Sequence, residues 1–262
     1  MQIIASNVTL IIASYNRPLH LERTLYSVSR QTVLPEQIIV ADDGSDLDIE
    51  GVITEYREGR LKRTRIDLVS QEHQGFRKCA LLNKALRAAI GEYIIHTDGD
   101  MFLEKHFIED HLRLAKPRRI VGGGRAKLNS SFGDISKFKG LTFSNIFHFS
   151  RPLRLIRGFS VPYFHSRHVN AVGNNMSYYK SDVLAVNGYD EDIVDTGGED
   201  VDISMRMTNN GCELLRVSGK CIGYHLWHSY AYRGKGFKIG KSMRKSLAVS
   251  GKTYTENGFE KK

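Results

Sequence analysis

The run Tyr93-Ile94-Ile95-His96-Thr97-Asp98-Gly99-Asp100 is a short apolar segment that ends in two carboxylates one residue apart. A β-branched run of this length predicts a buried strand. Asp98 and Asp100 then stand at its carboxyl end, where open α/β sheets bind their ligands. Two acids there suit a hard divalent cation such as Mg²⁺ or Mn²⁺. Such ions are held by one or two carboxylates, with water and phosphate oxygens completing the shell, so a site this sparse implies a phosphorylated partner. The tripeptide alone also reads as a solvated turn, and its neighbours tip the balance.

His225 and His228 flank Trp227 at the end of the last strand-like segment, and an imidazole there would complete the divalent site begun by Asp100. Gly197-Gly198-Glu199-Asp200 opens a helix with carboxylates behind two glycines. The helix N-terminus favours their ionised form, which a general base requires, and the same acids also make a good first turn. Ser14, Tyr15 and Asn16 follow strand one, and Asp42 and Asp43 follow strand two. A carboxylate there can accept from a base N–H or a ribose hydroxyl, although Asp-Asp-Gly-Ser is also a turn sequence. Arg77, beside Lys78, sits near a helix start where backbone N–H groups already favour anions, in reach of a base or a pyrophosphate.

The elements that must position these residues alternate strand and helix through the first half, as in a parallel sheet with helices on its faces. Val8–Ala13, Gln37–Ala41, Ile66–Val69 and Tyr93–Asp98 read as strands. Pro18 suits the first turn of a helix carrying Leu21, Leu25 and Val28, and a second helix runs from Arg77 to about Ile90. Later, Asn174–Tyr179 reads as a strand, Ser181–Val186 as a short helix and Cys221–His228 as the last strand, while residues 130–170 read as substrate loops.

At 262 residues and 41% hydrophobic, the chain can bury one sizeable core. Its formal charge of +9 favours anionic partners: nucleotides, nucleic acid or an acidic membrane leaflet. No apolar stretch reaches the roughly eighteen residues of a membrane span, and no signal peptide is recognised, so the expected location is the cytoplasm. Three cysteines, an odd number at unrelated spacings, read as reduced. From Arg233 onward, cations alternate with Phe237, Ile239, Met243 and Leu247. This pattern fits a basic amphipathic tail (233–262) that touches the inner face of an anionic membrane beside a main domain (1–232), and fits a solvated basic tail with no special partner equally well.

In order along residues 8 to 232, the motifs Thr9–Pro18, Ala41-Asp42-Asp43-Gly44-Ser45, Gly75-Phe76-Arg77, Thr97-Asp98-Gly99-Asp100 and Gly198-Glu199-Asp200 resemble the family 2 glycosyltransferases of GT-A fold. With the terminal His225-Leu226-Trp227-His228 they look closest to the hexosaminyl-transferring domain of bacterial chondroitin polymerases, and the Gly-Gly-Glu-Asp segment is similar to that of β-1,4-galactosyltransferases. The Gln-x-x-Arg-Trp motif of many processive synthases is absent from the sequence. The resemblance implies an α/β fold with a Rossmann-like, mostly parallel central sheet and helices on both faces. It implies inverting, Mn²⁺- or Mg²⁺-dependent transfer of a hexose or N-acetylhexosamine from a UDP-sugar to a glycan or lipid-linked glycan, in bacterial surface polysaccharide or lipopolysaccharide synthesis.

Carried onto this chain, the resemblance implies that Ser14, Tyr15, Asn16, Asp42 or Asp43, Arg77, Asp98 and Gly99 hold the donor. Asp98 would approach the ribose or the metal's water shell. Asp100 would bind the metal, with His225 or, in competition, His228 as third ligand. Asp200 would deprotonate the acceptor hydroxyl, and Glu199 would hydrogen-bond the acceptor. Single displacement requires the metal acids and the base acid to be distinct groups, as these are. Two other readings compete: a sugar nucleotidyltransferase, which would show a Gly-rich basic loop after strand one, and a basic nucleic-acid-binding protein, favoured by the charge and by Phe159–His168.

Overall fold

The computed structural model describes residues 3–149, 164–165, 173–194, 197–229 and 235–261. Strand β1 (Ile3–Ser14) is followed by helix α1 (Pro18–Ser29), with proline in its first turn. Then come β2 (Val33–Asp42), α2 (Ile49–Glu58) and β3 (Arg65–Ser70). Helix α2 buries Ile49, Ile53 and Tyr56 along one face, and its start is fixed by Asp48, whose carboxylate accepts the Gly51 N–H at 2.7 Å. Helix α3 (Lys78–Ala88) leads to β4 (Tyr93–Asp98), the strand that ends at the paired acids.

Four parallel strands lie in the order β3-β2-β1-β4. The sheet continues through β9 (Asn175–Tyr179), antiparallel to β4, then β6 (Arg119–Gly122), β10 (Glu213–Arg216) and β8 (Phe164–His165). It is a mostly parallel, eight-stranded sheet covered on both faces. The period-2 alternation of β1 sends Leu10 and Ile12 into a cluster with Leu21, Leu25 and Val28 of α1, Ile53 of α2, and Phe107 and Ile108 of α4 (Phe107–Leu114). Ile11, Ile39 and Ile94 point the other way, onto Leu82 and Leu86 of α3, Val183 of α5 (Lys180–Leu184) and Ile203 and Met207 of α6 (Glu199–Asn209). Each fully buried aliphatic side chain contributes about 1.5–3 kcal/mol.

A second sheet joins β5 (Met101–Leu103), β11 (Gly223–His225) and β7 (Arg125–Lys127). The predicted last strand is therefore shorter than Cys221–His228. The register pairs His225 with Met101, and the Leu226 N–H donates to the Asp100 carbonyl at 2.9 Å. Behind this sheet, residues 130–149 form three short 3-10 turns around Phe138, which is buried against Phe102, Phe149 and Tyr224. The rest of the expected substrate loops lies outside the described residues, as does Phe159–His168 apart from β8. All three cysteines are buried thiols.

The basic C-terminal segment folds back onto the main core. Helix α7 (Lys235–Ser250) packs on α6, burying Leu247 with Val201, Met205 and the partly buried Met243. Ile239 and Met243 meet Gly198, and a Cβ at Gly240 would stand only 2.7 Å from the Gly197 carbonyl. The apolar positions expected to enter a membrane are thus turned toward α6 at Ile239, Met243 and Leu247; Arg233 and the Phe237 side chain lie outside the described residues. Beyond α7, Asn187 accepts the Phe259 N–H and donates to the Thr255 and Glu260 carbonyls, and the Arg87 guanidinium lies 4.6 Å from the Phe259 ring centroid.

Candidate functional site

The carboxyl ends of β1, β2 and β4 are stitched together by the Asp43 N–H donating to the Ser14 carbonyl (3.1 Å) and the Gly99 N–H donating to the Ala13 carbonyl (2.7 Å). Glycine suits this close approach, since a Cβ at position 99 would stand 3.1 Å from the Ala13 carbonyl and 3.3 Å from Ser14 and would push them back. The turn swings Asp100 away from Asp98 and into the β5–β11 layer. There Asp100 Oδ2 lies 3.0 Å from His228 Nε2, 3.7 Å from His225 Nε2 and 3.3 Å from Arg17 Nη1.

Asp100, His225 and His228 bring one ligand atom each within 4.8 Å of one another, and all three are buried. Both histidines thus join the cluster, where the sequence left one to be chosen. The His228 Nδ1 is 3.0 Å from the Ser229 carbonyl, which can only accept, so Nδ1 carries the proton. The Nε2 lone pair then faces an Asp100 oxygen, an arrangement stable only with a proton or a cation between them. Asp100 Oδ1 is buried with no hydrogen-bond partner. A carboxylate and two imidazoles, one oriented by a backbone carbonyl, fit a divalent ion of Mn²⁺ type. Burial works against the Asp100 charge, but His225, His228 and Arg17 outweigh it and hold its carboxyl below the usual range. Burial pushes the His225 imidazole down, toward the neutral form that ligates.

Asp98 is placed differently from Asp100. Its Oδ1 accepts from Lys78 Nζ at 2.7 Å, and the same ammonium lies 3.7 Å from Glu199 Oε1. Burial disfavours the Lys78 charge, yet Asp98, Glu199 and Asp200 together hold its pKa above the ordinary value. Glu199 Oε2 accepts the N–H groups of Gly197 and Gly198, both at 3.1 Å, so this side chain folds back on its own loop. Asp200 accepts the Gly173 N–H at 3.2 Å and the Val201 N–H at 2.8 Å. The helix start was expected to keep Asp200 fully ionised. Instead burial, then the Glu199 charge, pushes its pKa up to about 6, nearer the value at which a general base works best. Asp202 pairs with the fully buried Arg206, which also donates to the Val186 and Gly188 carbonyls, and so holds α6 in place.

At the nucleoside end, Asp42 is consumed by a turn, accepting from both the N–H and the hydroxyl of Ser45. Asp43 accepts from Gln71 Nε2 at 2.6 Å, with His73 Nδ1 3.7 Å from its other oxygen. Tyr15, 40% exposed, stacks on His73 at 4.3 Å. Asn16 accepts the Asp46 N–H and so shapes the rim rather than the floor. Ser14 Oγ is buried without a partner beneath Gly99. Arg77 precedes α3 and donates to the Glu72 carbonyl at 2.7 Å.

Residues that sequence reasoning did not assign to the site include Lys78, Arg17 and His20. The His20 Nε2 meets the Trp227 carbonyl at 3.1 Å, and its ring sits edge-on to His228. Arg17 and His20 are one helical turn apart across the start of α1. The only signal for them was their nearness to Ser14–Asn16.

Residues 9–171, more than half of the chain, match the profile of glycosyl transferase family 2, and residues 153–229 match that of the N-terminal domain of galactosyltransferase. The chain is 28% identical over 254 residues to chondroitin synthase of Escherichia coli, covering 86% of this chain and 35% of that protein. It is 26% identical over 239 residues to validoxylamine A glucosyltransferase of Streptomyces hygroscopicus subsp. limoneus, covering 84% of this chain and 52% of that one. It thus spans about a third to a half of the length of these relatives. Among solved structures, GalNAc-T7 with UDP, GalNAc and Mn²⁺ superposes with a TM-score of 0.66 at 16% identity, over 91% of this chain and 47% of that one. The mannosyltransferase PcManGT from Pyrobaculum calidifontis, in complex with GDP-Man and Mn²⁺, gives 0.60 at 17%, over 93% and 64%. These likenesses show the GT-A fold, and the profile match favours neither the nucleotidyltransferase nor the nucleic-acid reading. The chain belongs to glycosyl transferase family 2.

Proposed function

We propose that this glycosyltransferase moves a hexose or N-acetylhexosamine from a UDP-sugar to a hydroxyl of a glycan or lipid-linked glycan, with inversion and with dependence on Mn²⁺ or Mg²⁺. The observation that carries the reading is the Asp100, His225 and His228 cluster with its unpartnered buried oxygen at the sheet's carboxyl end. A divalent ion bound there would neutralise charge growing on the diphosphate leaving group more in the transition state than in the ground state. Asp43 accepts from the uracil or ribose, with Tyr15 and Arg77 beside it, since Asp42 is spent on its turn. Lys78 holds Asp98 near the ribose and screens Asp98 from Glu199. Asp200 takes the proton from the acceptor sugar hydroxyl as its oxygen attacks the anomeric carbon from the face opposite the departing UDP. Glu199, anchored to Gly197 and Gly198, shapes the acceptor side.

Among the described residues no helix is long and apolar enough to cross a membrane. The proposed location is the cytoplasm, with peripheral contact to an anionic inner leaflet, and the proposed role is in surface polysaccharide or lipopolysaccharide synthesis. The test is slow hydrolysis across UDP-galactose, UDP-GalNAc, UDP-glucose, UDP-GlcNAc and UDP-glucuronate with and without Mn²⁺. Metal-dependent release of UDP from one donor supports the reading; no release from any donor, together with metal-independent UDP binding, overturns it.

A further inference from the structure

A cavity of about 210 Å³ opens at the C-terminal end of α1, the end opposite Arg17. Twelve helical residues, about 18 Å, separate the two ends. Arg30, Lys105 and Lys139 line it with a single carboxylate, Glu104, and with Phe102 and Leu141. Beside it, Phe143 is 84% exposed and Phe147 73% exposed, their rings edge to face at 5.7 Å. These aromatics are held outward by a braced loop. Asn145, itself buried, donates to the Gly140 carbonyl at 2.8 Å and accepts the Thr142 N–H at 2.6 Å, while the Ile146 N–H closes onto the Thr142 carbonyl. Phe138 and Phe149, both buried, anchor the loop at either side.

A braced loop that keeps two phenylalanines in water, next to a pocket with three cations to one acid, has the chemistry of a surface made for an apolar phase bordered by anions. We propose that residues 139–147, with Arg30 and Lys105, dock on an anionic phospholipid surface. The phenylalanines enter the headgroup boundary and the pocket cations take lipid phosphates. The two rings stand nearly perpendicular, at 89°, and form a wedge. The proposal deepens the membrane contact named above and moves it away from α7, whose Ile239, Met243 and Leu247 face α6 and the Gly198 backbone. It does not depend on the transfer chemistry.

The experiment is co-sedimentation of the full chain with vesicles of phosphatidylcholine alone or mixed with phosphatidylglycerol, at low and high salt, without donor. Binding is expected only to the anionic vesicles, salt-sensitive and not displaced by inorganic phosphate. Phe143→Ser with Phe147→Ser, and separately Lys105→Glu with Lys139→Glu, should each lower it about ten-fold or more. Reversing Lys238, Lys241 and Lys245 of α7 should change it little. No vesicle binding, binding by both loop variants as strong as that of the unaltered protein, or loss of binding only on reversal of the α7 charges would each overturn the proposal. So would a dimer in gel filtration that Phe143→Ser with Phe147→Ser dissociates, since the patch would then join two copies. Calorimetry of UDP with Mn²⁺ on the same variants keeps the two readings apart: vesicle binding can fail with UDP binding intact, and the reverse.

Discussion

Lys78 Nζ lies 2.7 Å from Asp98 Oδ1, and this ion pair ties the strand that carries the donor acids to the start of α3. The ammonium also reaches Glu199 at 3.7 Å, so one partly buried cation joins two acids, one from β4 and one from the start of α6 that carries the proposed base. Lys78→Met should leave Asp98 and Glu199 facing each other without neutralisation. The loss expected is about 2–3 kcal/mol, below the usual cost of breaking a fully buried pair because the partners are partly wetted. Thermal melting checks it, and Lys78→Arg should restore most of the stability.

Metal removal should be felt at Asp100 and the two histidines alike. UDP affinity is expected to rise at least about ten-fold on adding Mn²⁺. Asp100→Ala should erase that gain, and His225→Ala or His228→Ala should each reduce it. Calorimetry with and without metal reads the effect directly. Equal UDP affinities in both conditions would remove the metal from these residues.

Asp200→Asn should abolish transfer while keeping donor binding. The pKa of Asp200 is raised, from 3.8 to about 6, so the folded state holds its proton more tightly than the unfolded chain does. Its charge therefore costs stability once pH rises through that interval, and the cost is fully present above about pH 6. With Asp200 only half-buried, Asn should stabilise by about 1 kcal/mol, roughly 2–4 °C at pH 8, and by nothing near pH 3. Transfer by the unaltered protein should fall as pH drops through about 6, because only the ionised carboxylate accepts a proton. Melting curves at the two pH values and a rate profile test both halves.

Gly240→Leu should act on the site from outside it. A Cβ there meets the Gly197 carbonyl at 2.7 Å, so α7 must shift or the loop before Glu199 must yield. The expected result is lower transfer with UDP affinity in Mn²⁺ little changed, since the shifted loop carries the proposed base and not the metal cluster. Transfer assays and calorimetry on one preparation separate the two.

The four parallel strands and α1, α3 and α6 were legible because period-2 and helical apolar spacing, Pro18 and Gly91 mark them locally. Of the β5–β11–β7 sheet only the β11 segment was visible, inside Cys221–His228: the strands are three residues each, too short to show a period, and their pairings join residues 98 to 124 positions apart. That pairing is what brings His225 and His228 to Asp100. The acids could be read as a motif, whereas Lys78 could not, since a lysine at a helix start is usually solvated and only the fold buries it between Asp98 and Glu199. The turn role of Asp42 was visible in Asp-Asp-Gly-Ser but was not separable from Asp43 without Gln71 and His73 in place. For α7, composition suggested a surface tail because the sequence does not show that Gly198 and Val201 would receive its apolar side.

The contact of α7 with the Gly197 carbonyl gives limited proteolysis an unusual meaning. Its exposed lysines, Lys238, Lys241 and Lys245, are trypsin targets that lie outside every proposed ligand contact. A single nick there would release the packing behind the Gly-Gly-Glu-Asp loop, so activity should decay with the first cleavage while the main sheet stays folded. An acceptor that orders the loop should in turn slow the nick, making protease half-life a readout of acceptor occupancy when the acceptor's identity is still being sought.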